Sequence, residues 1–221
     1  MSDKQFGFIK GRSTVLQLLK VLDSWTETLE NGGCIDVVYC DFMKAFDKVP
    51  HRRLIGKLKS YGIKGKILDW IAAMLSHRSQ RVRINNSFSS WQEVTSGIPQ
   101  GSVIGPLLFV IFINDLPEVI KSSELFLFAD DMKLFHAIYT EEDCTSLQQD
   151  LILAEQWTNT SLLKFHPNKC SHMRIGLSSI RNNGYTLGPE HITLTSTDKV
   201  KDIGVTFDSS LNFEAHVRKN K

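Results

Sequence analysis

Leu125-Phe-Leu-Phe-Ala-Asp-Asp-Met-Lys-Leu-Phe-His-Ala-Ile138 sets two acidic residues between two apolar runs. Leu125–Ala129 reads as one strand and Lys133–Ile138 as its returning partner, with Asp130-Asp131 as the tight turn between them. Asp is common in hairpin turns because its side chain bonds the local backbone, so an isolated Asp-Asp is ordinarily turn chemistry. Here Phe126-Leu-Phe-Ala129 and Leu134-Phe135 make both flanking strands core-like. An acidic tip between two core strands is costly without a purpose.

A second acidic residue ends a similar run. Ile35-Asp-Val-Val-Tyr-Cys40 is β-branched and apolar, and it delivers Asp41 at its end. If the two strands are neighbours, Asp41, Asp130 and Asp131 converge on one edge of the sheet. Adjacent carboxylates resist joint ionisation unless a cation neutralises them. Mg²⁺ and Mn²⁺ take hard oxygen ligands and leave positions for phosphate oxygens. Two such ions suit the attacking and leaving oxygens of an in-line phosphoryl transfer.

Outward from these strands, apolar residues Val15, Leu18, Leu19, Leu22, Trp25 and Leu29 recur at helical spacing. They predict a helix over 12–30, with Ser13 or Thr14 as N-cap and Asn31-Gly32-Gly33 as its stop. Two helices follow, about 51–61 and 64–76, separated by Gly62. Gln80–Ile84 and Ser90–Val94 read as a hairpin closed at Asn85-Asn86-Ser87. Ser96–Ser102 is a Gly/Pro loop whose Ser102 caps an apolar helix running to about Pro117. An amphipathic helix is predicted over 141–163, then strands over 171–175 and 199–207, joined by a polar, Gly-rich stretch around 176–190. Because the acidic pair closes a hairpin, not a parallel crossover, the order predicts an α+β fold: an antiparallel sheet with helices on one face.

The 221 residues suffice for one domain with a sizeable core or two small ones. A net charge of +2, from 26 basic and 24 acidic side chains, argues neither for nor against nucleic acid. Cys34, Cys40, Cys144 and Cys170 include no Cys-x-x-Cys pair, so free thiols in a reducing compartment are expected. No apolar signal stretch precedes Gln5. The most apolar run, Val103–Ile113, carries Pro106 and is about half the roughly 20 residues of a membrane span. It predicts a buried core helix and no membrane.

Five segments carry a family resemblance. Val37-Val-Tyr-Cys-Asp-Phe-Met-Lys-Ala-Phe-Asp-Lys-Val-Pro-His51 resembles the first palm motif of non-LTR (LINE-type) retrotransposon reverse transcriptases. Ser96-Gly-Ile-Pro-Gln-Gly-Ser-Val-Ile-Gly-Pro-Leu-Leu-Phe109 is similar to the second palm motif, and Phe128-Ala-Asp-Asp131 to the acidic-pair motif, with Phe for the commoner Tyr. Gln5-Phe-Gly-Phe-Ile-Lys-Gly-Arg-Ser-Thr14 resembles a fingers motif of the family. Asp202-Ile-Gly-Val-Thr-Phe-Asp-Ser-Ser-Leu-Asn-Phe-Glu-Ala-His216 resembles the region near the primer grip.

The resemblance implies a right-hand polymerase palm, ferredoxin-like, with partial fingers over 1–34 and the first acidic strand of the palm over 35–50. Fingers and palm helices with a hairpin would occupy 51–95, the rest of the palm 96–176, and the palm's end with the primer-grip region 177–221. The activity implied is RNA-directed DNA polymerase, with an RNA template, a DNA primer, dNTPs and two Mg²⁺ or Mn²⁺ ions. Asp41 and Asp130 become the main metal ligands, Asp131 a supporting acid and the Phe42 carbonyl a further ligand. Phe46 takes the place of the aromatic under the incoming sugar, whose ring would clash with a 2′-hydroxyl. RNA-templated RNA synthesis is disfavoured on that ground. The Gln100 amide would bond nucleotide or template, with Gly97 and Gly101 enabling the loop. Lys169 matches the family's triphosphate lysine, and Lys10 and Arg12 match fingers positions near template or phosphate. Arg78, Arg81 and Arg83 are read either as a phosphate-tracking strand or as a solvated face.

Relative to the family's pattern, the reading expects a chain truncated at both ends, without the basic fingers segment and without a thumb. The alternative is a catalytically silent remnant that only holds an RNA–DNA hybrid. An active enzyme would work inside the cell, in the nucleus and in a cytoplasmic ribonucleoprotein.

Overall fold

The computed structural model describes residues 1–182 and 184–219. In chain order the first elements are α1 (Thr14–Glu30), β1 (Cys34–Cys40), α2 (Ala45–Lys48), α3 (His51–Ser60) and α4 (Gly65–Leu75). A hairpin of short ladders follows: β2 (Ser79–Gln80), β3 (Arg83–Ile84), β4 (Ser87–Phe88) and β5 (Gln92–Glu93). Next come α5 (Gly105–Phe112), β6 (Glu124–Phe128), β7 (Asp131–Ile138), α6 (Glu141–Ser161) and β8 (Ser171–Ile175). The last elements are β9 (Thr186–Leu187), β10 (Ile192–Thr193), β11 (Thr195–Ser196), β12 (Lys199–Asp202), β13 (Val205–Asp208) and α7 (Glu214–Lys219).

Five strands form the central sheet in the order β11-β8-β1-β7-β6. β1 lies at its centre, antiparallel to both β7 and β8, and among the described strands of this sheet the β11–β8 pair is parallel. This is the antiparallel α+β arrangement the sequence predicts. One face of the sheet, with Val38, Leu127 and Leu134, packs on α3, α4, α5 and α6. The other face is covered as well. Val37, Phe126, Phe135 and Met173 pack there against Leu18, Val21 and Trp25 of α1 and Phe207 of β13. Trp25 is fully buried and meets Phe135 and Phe207 edge-on, with centroids 5.8 and 5.6 Å away. A strand buried on both faces needs apolar residues at consecutive positions, which is why β1 reads as a run and not an alternation.

Asp36 is the polar exception in β1. Its fully buried carboxylate accepts from Arg174 Nε and Nη2 (2.7 and 2.6 Å), Tyr185 Oη (2.6 Å) and Asn182 Nδ2 (2.9 Å). A buried charge is tolerable only with such full pairing. The tie joins β1 to β8 and to the segment after it.

Ser13 caps α1 by accepting from Leu16 N. The helical spacing is as predicted, yet Val15 and Leu19 are left 61% and 58% exposed at its start. Other boundaries differ more. Ser102 does not cap α5, because its hydroxyl turns back to donate to the Pro99 carbonyl. The helix begins at Gly105 with Pro106 in its first turn and stops at Phe112, and a 3-10 turn takes Leu116–Val119. The predicted strand over 199–207 is the β12–β13 hairpin, folded at Ile203 and Gly204, whose φ is +99°. The turn between β6 and β7 is Ala129–Asp130, since Asp131 already pairs with Phe128 as the first residue of β7. All four cysteines are buried and free. Among the described residues no helix is long and apolar enough to cross a membrane.

Candidate active site

The sheet brings the three predicted carboxylates to one edge. β1 and β7 pair through Cys40 and Met132, and continuing that register by one residue sets Asp41 across from Asp131. Asp130 occupies the hairpin turn beside them. Beyond β1 the chain is held by the segment after α6. His166 N donates to the Asp41 carbonyl (2.8 Å), Met43 N to Lys164 O (2.8 Å), and the Phe42 and Phe165 rings stack at 4.8 Å. These bonds flank the Phe42–Phe165 bridge, so the Phe42 carbonyl points away from Phe165.

Crowding perturbs the acids. Partial burial raises the pKa of Asp130, and the Asp41 carboxylate raises it further against a backbone hydrogen bond. Asp131 is pushed up to about 6, first by desolvation and then by Asp130, Asp202 and Asp41, with Lys133 opposing. Lys133 forms an ion pair with Asp202, both side chains buried, which fastens β7 to β12. A cleft of about 190 Å³ opens here, lined by Asp41, Asp131, Lys133, Lys169, Lys201 and Asp202 among others. Among the described residues no three His, Cys, Asp or Glu side chains are grouped closely enough to hold a metal ion as they stand. The donor set nevertheless suits a hard divalent cation. It is all oxygen, and mutual repulsion of the carboxylates is the strain that such a charge relieves.

A second group of predicted residues meets on the neighbouring loops. Phe46 is half-buried, its ring stacked on Phe109 at 4.4 Å, and its carbonyl accepts from Ile98 N (2.8 Å). Gln100 Nε2 donates to Asp47 Oδ1 (2.9 Å). Ser96 Oγ donates to the Asp47 carbonyl, and Gly97 N to Val49 O. Gly97 has φ +90°, and a Cβ there would lie 2.7 Å from the Asp47 carbonyl oxygen, so the lacing admits only glycine. Gly101 has φ +80° in open space, so it serves the loop's path alone.

A family model described as "Reverse transcriptase (RNA-dependent DNA polymerase)" matches residues 1–207. The chain belongs to the reverse transcriptase family.

Several of its relatives are mobile-element polymerases. The probable RNA-directed DNA polymerase from transposon BS of Drosophila melanogaster is 29% identical over 99% of this chain and 25% of its own length. The polymerase from mobile element jockey of Drosophila funebris is 29% identical over 96% of this chain and 24% of its own. The chain thus spans about a quarter of these non-LTR retrotransposon polymerases. Two solved structures of Candida tropicalis telomerase share the fold at 11% identity. One, in the apo form truncated from its C-terminal domain, has a TM-score of 0.60 over 96% of this chain and 40% of its own. The other, with a telomeric RNA fragment, has 0.62 over 96% and 33%.

Within this reverse transcriptase domain the remaining predicted residues divide. Lys169, in the 3-10 turn Pro167–Lys169, sets its Nζ 4.0 Å from Asp41 Oδ1 at the rim of the cleft. Both side chains are largely open to solvent, so the pair adds little stability but keeps an ammonium beside the acids. Arg12 is engaged elsewhere. Its Nη1 donates to the Ser2 and Gln5 carbonyls and its guanidinium lies 5.6 Å from the Phe6 ring. Lys10 is exposed, and Arg78, Arg81 and Arg83 lie on the β2–β5 hairpin and the stretch leading into it.

Sequence reasoning assigned no role to Gln5, which is fully buried behind the acidic turn. Its Oε1 accepts from Gly7 N (2.7 Å) and Ala129 N (3.0 Å), and its Nε2 donates to the Ala129 carbonyl (3.4 Å). Ala129 sits in the left-handed region at φ +54°, immediately before Asp130. Residues 4–6 bond Leu127 on the edge strand, and a Cβ on Gly7 would meet Ala129 N at 2.3 Å. The signal for this clamp was present only as a Gln-x-Gly next to an aromatic pair. Lys133–Asp202 was likewise invisible, because its partners belong to separate segments.

Proposed function

We propose that this reverse transcriptase domain transfers deoxynucleotides onto the 3′-hydroxyl of a DNA primer, copying an RNA template. The observation that carries the reading is the convergence of Asp41, Asp130 and Asp131 on one sheet edge, where crowding raises the carboxyl pKa of Asp130 and of Asp131. The family membership and the similarity to RNA-directed DNA polymerases support it. Asp41, Asp130, Asp131 and the Phe42 carbonyl would hold Mg²⁺ or Mn²⁺. Bound there, two such ions would supply positive charge to the attacking and leaving oxygens.

The chain's own residues do the rest. Phe46, backed by Phe109, gives a rigid ring under the incoming sugar and excludes a 2′-hydroxyl. Gln100, oriented by Asp47 on its glycine-enabled loop, offers an amide to the nucleotide or template strand. Lys169 Nζ, held near Asp41, binds the triphosphate and can give its proton to the departing pyrophosphate. Such catalysis consists mainly of alignment and charge stabilisation. An active enzyme would work inside the cell, in the nucleus and in a cytoplasmic ribonucleoprotein.

The test is primer extension on an RNA homopolymer with Mg²⁺ or Mn²⁺, beside an Asp130→Asn variant. Metal-dependent dNTP incorporation that falls at least about 1,000-fold in the variant supports the reading. Hybrid binding without any incorporation by the unaltered chain would overturn it in favour of a silent binding remnant.

A further inference from the structure

The stretch 79–93 does something the fold does not require. Every residue of it is exposed, and its ladders join no strand of the central sheet. A hairpin of this kind usually carries polar residues on both faces, since neither face packs on a core. Instead Val82, Ile84, Phe88 and Trp91 are 62%, 68%, 50% and 60% exposed. Four large apolar side chains left in water on one small element mark a contact surface.

Charge and ring geometry specify its partner. The Arg81 guanidinium lies 3.9 Å from the Phe88 ring centre and 4.6 Å from that of Trp91. Arg83, paired in register with Phe88, lies 5.5 Å from the same ring. Among the described residues neither arginine has a carboxylate within ion-pair distance. Guanidinium groups packed on aromatic rings that remain half or more exposed match a strand that offers phosphates and unstacked bases in alternation. A duplex shows its phosphates but hides its ring faces, so the aromatic half of the surface would be idle on a hybrid. An acidic protein partner would use the arginines and leave Trp91 without a role.

The foot of the hairpin leads toward the site already described. Arg78, Gln80 and Glu93 line a cavity of about 500 Å³ whose other walls include Lys44, Lys48 and Gln100. Gln100 and Asp47, bonded to each other, belong to the same cavity wall that adjoins Phe46 in sequence and loop contact. Arg78, Lys44 and Lys48 line this cavity beside the acidic Asp47 and Glu93, and the three cations provide phosphate contacts from the hairpin into the loop beside the nucleotide.

We propose that the 79–93 hairpin is a docking surface for single-stranded nucleic acid, gripping the strand outside the hybrid and feeding it past Arg78 toward Gln100. This rests on the reading of the chain as a template-copying polymerase only for its direction of travel. The binding itself does not depend on catalysis.

The experiment measures fluorescence anisotropy of a blunt RNA–DNA hybrid and of the same hybrid extended by a single-stranded overhang, made once in RNA and once in DNA, without nucleotides. The unaltered chain should bind an overhang substrate more tightly than the blunt one. Phe88→Ala with Trp91→Ala should remove about tenfold or more of that preference. Arg81→Gln with Arg83→Gln should lower the salt dependence of overhang binding by roughly 0.7 in log–log slope for each phosphate no longer neutralised. All four positions are exposed, and an unchanged melting temperature checks that each variant folds. An RNA-only preference assigns the surface to the template, and an equal response assigns it to either strand. Equal affinity for blunt and overhang substrates, or an unchanged preference in both variants, would overturn the proposal. An inactive chain that shows the hairpin-dependent preference would sink the polymerase reading and leave this one standing.

Discussion

Asp131 combines exposure on the cleft with a pKa pushed up to about 6, against an ordinary 3.8. A raised carboxyl pKa means that the folded chain holds a proton the unfolded chain has released. Stability therefore falls as pH rises from about 3.8 to about 6, and the penalty is complete above that window. Asp131→Asn should then raise the melting temperature by about 2–4 °C at pH 7.5, on the order of 1 kcal/mol after solvent screening. It should give no gain near pH 4. Thermal scans at both pH values check this, and an equal gain at both would exclude charge repulsion as the cause. Phe46 acts by shape. Phe46→Ala opens the space under the sugar, so preference for dNTP over rNTP should drop by roughly 10–100-fold. Competition primer extension reads the ratio directly, and an unchanged ratio would remove the sugar gate from this residue.

At the scale of elements, the acidic hairpin is not self-sufficient. Its turn places Ala129 at positive φ, a conformation that costs a residue with a Cβ about 1–2 kcal/mol. The N-terminal segment offsets that cost through the Gln5 amide, which bonds the N–H and carbonyl of Ala129 together. Gln5→Leu keeps volume but leaves both groups unpaired next to Asp130. Extension rates should fall about 10–100-fold, since misplacement of about 1 Å costs that much in positioned chemistry. Gln5→Glu retains the acceptor atom and should recover part of the rate. Equal rates in all three proteins would show that the turn holds itself. The Gln5 bonds to Ala129 and the backbone bonds of residues 4–6 to Leu127 thus join the N-terminal segment to the acidic hairpin, so the first seven residues belong physically to the sheet edge that carries the carboxylates.

At the scale of the whole molecule, several acids stand together on a chain whose net charge is only +2. Filling the cleft with a divalent cation should stabilise the fold as any ligand of the native state does. About 100-fold excess over the dissociation constant predicts roughly 2.7 kcal/mol, or several degrees in melting temperature, for Mn²⁺. The shift should vanish in Asp130→Asn; a shift of the same size in that variant would place the ion elsewhere. The elements of this molecule were largely legible in its sequence, because hydrophobic period and turn chemistry act over a few neighbouring residues. β1, β7, β8, α1 and α6 are where the pattern put them, and the acidic residues stood out as charges terminating apolar strands. The sequence by itself thus determined the central strands β1, β6, β7 and β8, the carboxylates and the family. Only the tertiary structure decided that α1 covers the second sheet face, that Asp131 begins a strand and that Ser102 faces back into its loop. It also decided that Gln5 and the Lys133–Asp202 pair support the site. Apart from the start of β7, which local pairing with Phe128 sets, those features depend on partners more than 60 residues away or on competition for one hydrogen bond, and a buried polar group acquires its role only once folding has chosen its neighbours.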